Sequence, residues 1–452
     1  MIPIWLLALL IFGVNFVVWG ALGLARLAEE RRAAAEERLA VRRGLGNVVP
    51  LSRMNLRDVA VLMAAHNEEV VIDASLSALA RLIPAGNIYV VSDASTDRTV
   101  ELAKAHGVNV IETASNVGKA GALQEGIDRF ELATGYRAVL LLDADTRLDD
   151  GYFDTALPLF DDPSVVAVAG CARTDWNYGP RSFGSFVLTC HRSRIYALLQ
   201  RLLKFGQTWR RTNATYIVPG FASMYRTRVL PHIDINPPGL VIEDFNMTFE
   251  VYRRHLGKVG FSLHAIAITQ DPIRLADYVR QTKRWALGFW QTVRRFRPRL
   301  DLFTGMLTLS ILELITASLL LITLPFVLVL LVIPELFGVM QGWPIIGPAY
   351  HTVGEYVDLT TIGLGVLLPD YLLTVIVAVL ERRPRYLLGG LLSVPMRMLD
   401  AAITLYSLPR AWLERSTGRW VSPARRASIA QPDAAATVPH LMHAPERSEA
   451  QA

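Results

Sequence analysis

The chain has 452 residues, 52% hydrophobic and 19% charged, with a formal net charge of +5 and a mean hydropathy of +0.31. That composition excludes a disordered polymer, and two cysteines, Cys171 and Cys190, exclude a disulfide framework or a four-cysteine zinc site. The apolar residues crowd into the start and the last third, so the basic excess reads as the flanks of membrane segments before it reads as a nucleic-acid surface.

Residues 1–25 carry no charged side chain. This predicts an N-terminal transmembrane anchor over 1–26, since a span needs about 20 apolar residues, and a signal peptide would have a basic start and a shorter core. Eight arginines follow between Arg26 and Arg57. The positive-inside rule then puts the N-terminus outside and the rest of the chain's first half in the cytoplasm. Leu27–Arg43, rich in Ala, Glu and Arg, predicts a helix within a basic linker over 27–57.

A domain over 58–273 comes next. Short apolar runs (Val59–Ala65, Ile88–Ser92, Val108–Glu112, Ala138–Leu142, Val165–Ala169) alternate with amphipathic segments such as Glu69–Leu82, Thr96–His106 and Lys119–Leu132. Strands without polar alternation, separated by helices, predict an α/β fold whose parallel sheet is covered on both faces. Ligands bind such sheets at the carboxyl ends of the strands. Residues 171–270 have no clean period.

The segment 274–300 is basic and aromatic, with Tyr278, Trp285, Phe289, Trp290 and Phe296 among its arginines. It predicts an amphipathic helix on a membrane surface. A C-terminal transmembrane region over 301–410 contains two predicted spans, Leu307–Ile333 and Thr360–Leu380, joined by a loop without Lys or Arg. Leu387–Leu408 contains Pro395, Arg397 and Asp400 and reads as re-entrant or interfacial. Residues 411–452 read as a disordered cytoplasmic tail.

The chemistry-bearing residues sit at the predicted strand ends. Asp143-Ala144-Asp145 places two carboxylates after a buried strand. Alone, that is a turn with two solvated acids; hard oxygen donors also suit Mg²⁺ or Mn²⁺ held with substrate phosphates. His66-Asn67-Glu68-Glu69 follows the first strand, and Ser92-Asp93-Ala94-Ser95-Thr96-Asp97 the second. Ser95 and Thr96 read as helix caps, whereas Asp93 reads as free to face a ligand. Lys119 at a helix start favours anionic groups. Glu243-Asp244 precedes the predicted helix Phe245–Leu256, where an acid caps the helix or serves as a general base. Gln281, Arg284 and Trp285 fall in the basic aromatic segment; Arg284 suits a diphosphate and Trp285 a sugar face, and an interfacial Arg/Trp anchor is the plainer alternative.

Together these residues resemble the membrane-embedded family 2 glycosyltransferases, which include synthases of cellulose, hyaluronan, chitin-type oligosaccharides and poly-N-acetylglucosamine. The family's Pro-x-Tyr-Asn-Glu-Glu stands here as Ala64-Ala65-His66-Asn67-Glu68-Glu69, and its Asp-Asp-Gly-Ser-Thr-Asp as Ser92-Asp93-Ala94-Ser95-Thr96-Asp97. Asn-x-Gly-Lys-Ala is intact around Lys119, and Asp-x-Asp is intact as Asp143 and Asp145. Gly220-Phe221-Ala222-Ser223 matches the acceptor-side segment, Ile242-Glu243-Asp244 the Thr-Glu-Asp motif, and Gln281, Arg284 and Trp285 the Gln-x-x-Arg-Trp motif.

The resemblance implies a GT-A domain, Rossmann-like, set between an N-terminal transmembrane helix and C-terminal ones in a multi-pass protein of the cell membrane. It implies inverting, metal-dependent transfer of a sugar, by resemblance N-acetylglucosamine, from a UDP-sugar to a growing polysaccharide that crosses the membrane. Asp244, with Glu243 beside it, is the implied base. Asp145 is the implied Mg²⁺ or Mn²⁺ ligand. Asp93 contacts the uracil, Lys119 and Arg284 the diphosphate, and Trp285 the acceptor. His66, Asn67, Glu68, Asp143, Gly220, Phe221 and Gln281 complete the substrate site. The implied partners are a UDP-sugar, a polysaccharide or lipid-linked acceptor, membrane lipids, and a homo-oligomer or accessory subunit to complete a channel; nucleic acid is not among them. The competing expectation is a non-processive transferase that adds one sugar to a lipid or short acceptor.

Overall fold

The structure is a computed structural model that describes residues 1–43, 52–176 and 182–414. Part of the expected linker (44–51) and the expected tail beyond 414 lie outside these residues.

The N-terminal apolar segment is not one straight span. Helix α1 (Ile4–Phe12) and helix α2 (Val14–Arg42) meet at Gly13, whose φ is +88°, and the pair is bent by 79°. The cause is local. A Cβ at Gly13 would lie 2.5 Å from Glu313 Oε2. The Glu313 carboxylate accepts from Asn15 N (3.0 Å) and Asn15 Nδ2 (2.7 Å), so an acid from a distant helix caps the start of α2. Further along α2, Arg26 donates to the carbonyls of Phe205 (2.8 Å) and Phe261 (2.9 Å), which docks the helix onto the sheet domain.

The sheet has eight strands in the order β3-β2-β1-β4-β7-β6-β8-β5. They are β1 (Val59–Ala65), β2 (Ile88–Ser92), β3 (Asn109–Glu112), β4 (Ala138–Asp143), β5 (Arg147–Leu148), β6 (Val165–Thr174), β7 (Ala222–Arg226) and β8 (Lys258–Thr269). All seven residues of β1 are buried. Val59, Val61, Met63 and Ala65 enter one core; Ala60, Leu62 and Ala64 enter the other. This is the two-faced burial that a continuous apolar strand requires. The expectation of a parallel sheet holds for β3-β2-β1-β4 and for the β6–β8 pair, and fails at β7 and β5. Strand β7 runs antiparallel to both β4 and β6, and β5 runs antiparallel to β8. The sheet is therefore mixed, as is common when a sheet is extended past its parallel half.

On the parallel half lie helices α3 (Ile72–Leu79), α4 (Thr99–Ala105) and α5 (Gly118–Arg129). Helix α6 (Phe183–Leu198) runs into a π-helical turn, Leu199–Lys204. Helix α7 (Asp244–Arg253) precedes β8. Then come α8 (Leu275–Arg295), α9 (Leu302–Leu336), α10 (Leu359–Leu380) and α11 (Ser393–Leu413). Among the described residues, α9 and α10 are long and apolar enough to cross a membrane; the bent α1–α2 pair makes a third candidate if taken as one span.

Helix α8 was expected to give its aromatic face to lipid. Instead α11 covers part of that face. Trp290 is 1% exposed and donates from Nε1 to the Thr404 carbonyl (3.2 Å); Tyr278 is equally buried and donates to Asp400 Oδ1 (2.6 Å). A buried indole or phenol needs such an acceptor, and α11, with its charged residues, supplies it.

Candidate active site

Registers β1–β2 and β1–β4 align Ala65 with Ser92 and Ala64 with Asp143. The carboxyl ends of three strands therefore open on one side, and the residues after them converge. A cavity of about 560 Å³ lies beside the end of β4 and is lined by Lys119, Asp143, Asp145, Gly220, Glu243 and Asp244 among others.

Lys119, in the first turn of α5, joins three elements. Its ammonium lies 2.7 Å from Asp143 Oδ1 and 2.9 Å from Glu243 Oε1, and donates to the Gly220 carbonyl (3.2 Å). Burial alone would lower this lysine; the two carboxylates outweigh it and hold the ammonium above the ordinary lysine range. Gly220 is needed for the close approach, because a Cβ there would stand 3.0 Å from Glu243 Oε1 and 3.1 Å from Lys119 Nζ. Phe221 fixes the β7 side: its carbonyl accepts from Asp143 N (3.0 Å).

Asp244 opens α7. Its carboxylate accepts from Gly220 N (3.2 Å) and from its neighbour Phe245 N (2.7 Å). Burial, reinforced by the Glu243 charge and opposed by Lys119, pushes its carboxyl up to about 6. A carboxylate in that range both holds and releases a proton near neutrality.

The site residues after β1 and β2 behave differently. Asp93 is not free to face a ligand. It is fully buried, and its carboxylate accepts from Thr113 Oγ1 (2.9 Å), Val117 N (2.8 Å) and Gly118 N (2.9 Å). It thereby fixes the start of α5 and, with it, Lys119. His66 Nδ1 lies 2.5 Å from the Asp93 carbonyl, which assigns the proton to Nδ1 and leaves Nε2 as the acceptor facing the amides of Asn67 and Asn116 at 3.4 Å. Asn67 has φ +54° and accepts from Thr96 N (2.8 Å), tying the two strand-end turns together. Glu68 is fully buried at the start of α3. These four residues shape the neighbouring rim; the cavity wall is built from the others.

The opposite wall comes from α6 and α8. Gln281, Arg284 and Trp285 line the cavity, as expected from their spacing. Sequence reasoning missed their partner, Arg192. Its guanidinium is 3% exposed, stacks 4.6 Å from the rings of both Tyr278 and Trp285, and donates to Gln281 Oε1 (3.0 Å). Asp271 accompanies it at 3.6 Å. Also missed were Tyr196, Gln200 and Lys204, which line the same cavity. Burial brings the Lys204 ammonium down to about 8, with the charges of Cys171 and Asp244 opposing.

A signal was present. Arg192, Tyr196, Gln200 and Lys204 recur every fourth residue on a segment whose other positions mix apolar residues with His191, Ser193, Arg194 and Arg201. In a helix of about 3.6 residues per turn that spacing drifts, and the wider π turn at Leu199–Lys204 takes up the drift.

Residues 60–233 match the family model described as "Glycosyl transferase family 2". No curated protein matches the chain. Among solved structures, a mannosyltransferase from Pyrobaculum calidifontis in complex with GDP-Man and Mn²⁺ is 15% identical, with a TM-score of 0.45 over 83% of this chain and 99% of that one. Staphylococcus aureus TarS in complex with UDP-GlcNAc is 14% identical, with a TM-score of 0.37 over 80% of this chain and 93% of that one. Glucosyl-3-phosphoglycerate synthase from Mycobacterium tuberculosis, with Mn²⁺, UDP and phosphoglyceric acid, is 17% identical, with a TM-score of 0.33 over 53% and 78%. These overlays are partial, and the assignment rests on the matched segment. Residues 60–233 are a glycosyl transferase family 2 domain, and the chain that carries it is a glycosyltransferase.

Proposed function

We propose that this enzyme transfers a sugar, N-acetylglucosamine by resemblance, with inversion from a UDP-sugar to the hydroxyl of a membrane-held glycan acceptor, and so extends a polysaccharide. The observation that carries this reading is the placement of Asp244, raised to about 6, in one cavity with Asp143, Asp145 and Lys119.

The donor set suits a hard divalent cation. Asp143 and Asp145 offer carboxylate oxygens at one end of the cavity, where the Asp145 charge adds to the burial that raises the carboxyl of nearby Asp271 and Arg192 opposes it. Two carboxylates at a cavity that takes substrate phosphates suit an ion held by one or two carboxylates plus those phosphates. Asp145, with Asp143 beside it, would hold Mg²⁺ or Mn²⁺, which when bound neutralises charge on the departing diphosphate.

The chain's own groups do the rest. Asp244 accepts the proton of the acceptor hydroxyl; the oxygen attacks the anomeric carbon, and the bond to the UDP oxygen breaks with its electron pair on UDP. Lys119 and Arg284 supply positive charge where the diphosphate becomes more negative, which accelerates the step because that charge grows in the transition state. Glu243, engaged by Lys119, positions that lysine. Trp285, braced by Arg192, offers a ring face to the acceptor sugar. Asp93 acts at one remove, through α5. Arg26 to Arg57 assign the catalytic domain to the cytoplasm, with the N-terminus outside.

The test is UDP release by the purified full chain in lipid nanodiscs, with a panel of UDP-sugars and Mn²⁺ or Mg²⁺. Turnover with one sugar, falling by about 10²–10⁴-fold in Asp244→Asn, is the expected result. Equal turnover in that variant removes Asp244 as the base.

A further inference from the structure

A second cavity, of about 480 Å³, adjoins the first. Leu199, Leu203, Tyr216, Phe245 and Trp285, with the polar Gln207, Thr282 and Asp400, line both and form the neck between them. Beyond the neck the wall is aliphatic and comes from the helical region: Ile11 of α1, Leu198 of α6, Leu314 and Leu321 of α9, Leu373 of α10 and Ala401 of α11. Two of these helices are candidate spans.

The charged groups in this chamber are already engaged within the protein. Asp370 Oδ1 takes both Arg194 Nη2 (3.0 Å) and Arg397 Nη1 (2.8 Å). Arg194 Nη2 also donates to the Asp370 carbonyl (2.8 Å), and Arg397 Nη2 to the Ile11 carbonyl (2.9 Å). Glu313 caps α2 through Asn15. Asp400 holds His191 Nε2 (2.8 Å) and the Tyr278 hydroxyl (2.6 Å). Arg194 Nε, buried without a hydrogen-bond partner, is too little to serve a sugar. A bare glycan threaded here would bring hydroxyls that lose water and find few partners, which is costly. A hydrocarbon chain needs no partners and gains by leaving water.

We propose that the chamber binds the hydrocarbon of an amphiphilic, lipid-borne acceptor, whose polar head passes the neck at Trp285 and presents its hydroxyl to Asp244. The proposal rests on the transfer reading above for the role of the head and adds the class of molecule that carries it. The charges fit the division: Arg192, Arg284 and Lys204 line the head's cavity, and groups already hydrogen-bonded or ion-paired within the protein line the tail's.

The test uses the full chain in nanodiscs with two measurements. First, a dodecyl N-acetylglucosaminide bearing a diazirine at the chain end is photocrosslinked and the labelled residues are mapped. Label is expected on α9 around Leu314–Leu321 and on α11 around Ala401, and it falls to background in Ala317→Trp, which fills the chamber. Label confined to outer, lipid-facing positions of the wild type overturns the proposal without reference to any variant. Second, UDP release is compared with methyl and dodecyl N-acetylglucosaminides as acceptors. The longer chain is expected to raise kcat/KM roughly tenfold or more; equal values overturn the amphiphilic acceptor and leave the transfer reading standing. Chamber label with no UDP release by either acceptor shows the opposite, a hydrocarbon site whose transfer reading has failed.

Discussion

The two adjoining cavities use their polar groups in opposite ways. In the catalytic cavity, Asp244 is raised toward neutrality and Lys204 is lowered toward it, so both stand near the point of exchanging a proton. In the chamber, Asp370 is engaged by two arginines and Glu313 by a helix start, while Asp400, which borders both cavities, is held by a histidine–tyrosine pair. The difference shows that a buried charge alone does not mark a reactive site. What matters is whether its partners leave it a task. The Arg194–Asp370–Arg397 cluster holds α1, α6, α10 and α11 together, whereas the Lys119–Asp143–Glu243 cluster holds a cavity open.

The comparison is broken most severely from the chamber side. Asp370→Leu leaves the buried Arg194 and the half-buried Arg397 without their counter-ion and is expected to cost about 3–5 kcal/mol, read as a fall in unfolding midpoint in nanodiscs. A variant as stable as the wild type would show the cluster to be dispensable. On the catalytic side, Lys119→Met should leave the fold closer to intact yet lower kcat by about 10²–10³-fold, as expected for loss of one electrostatic stabiliser. It should also move the acid limb of the pH profile to higher pH, because the cation that holds Asp244 down is gone. Unchanged kcat would confine Lys119 to architecture. The smallest change sharpens the rim. Ala94 adopts φ +50° where the resembled family has glycine. Ala94→Gly should therefore stabilise the domain by about 0.5–1 kcal/mol, seen as a higher midpoint with kcat unchanged.

The parallel half of the sheet was legible because β1, β2 and β4 are buried on both faces and read as nearly unbroken apolar runs, while the edge strand β3 is only half-buried. Strand β7 was not: Ala222-Ser-Met-Tyr-Arg226 has no such run, and its antiparallel place is set by neighbours distant in sequence. The carboxylates of Asp143, Asp145 and Asp244 were legible because acids at strand or helix ends are conspicuous. Whether an end faces the cavity or the protein was not, and Asp93 turned out to face inward because the amides of Val117 and Gly118 lie within its reach. Arg192 and Lys204 escaped notice since a polar stripe along an apolar helix resembles a solvated face until its partners are known. The bend at Gly13 depends on Glu313, some 300 residues away in sequence, and no local pattern announces it.

The raised carboxyl of Asp244 fixes two pH signs. Its folded value exceeds the ordinary 3.8, so the folded protein holds this proton more firmly; this group's contribution to stability declines as pH rises from about 4 to about 6. Activity runs the other way, because the base works only when ionised. The most direct measurement is the pH dependence of kcat/KM for UDP release between pH 4.5 and 8, with the metal saturating, a range set to bracket a value of about 6. A limb rising with pH and centred near 6, absent from the residual activity of Asp244→Asn, is the predicted result. A flat profile, or a limb that persists unchanged in that variant, would contradict the assignment of Asp244 as the base.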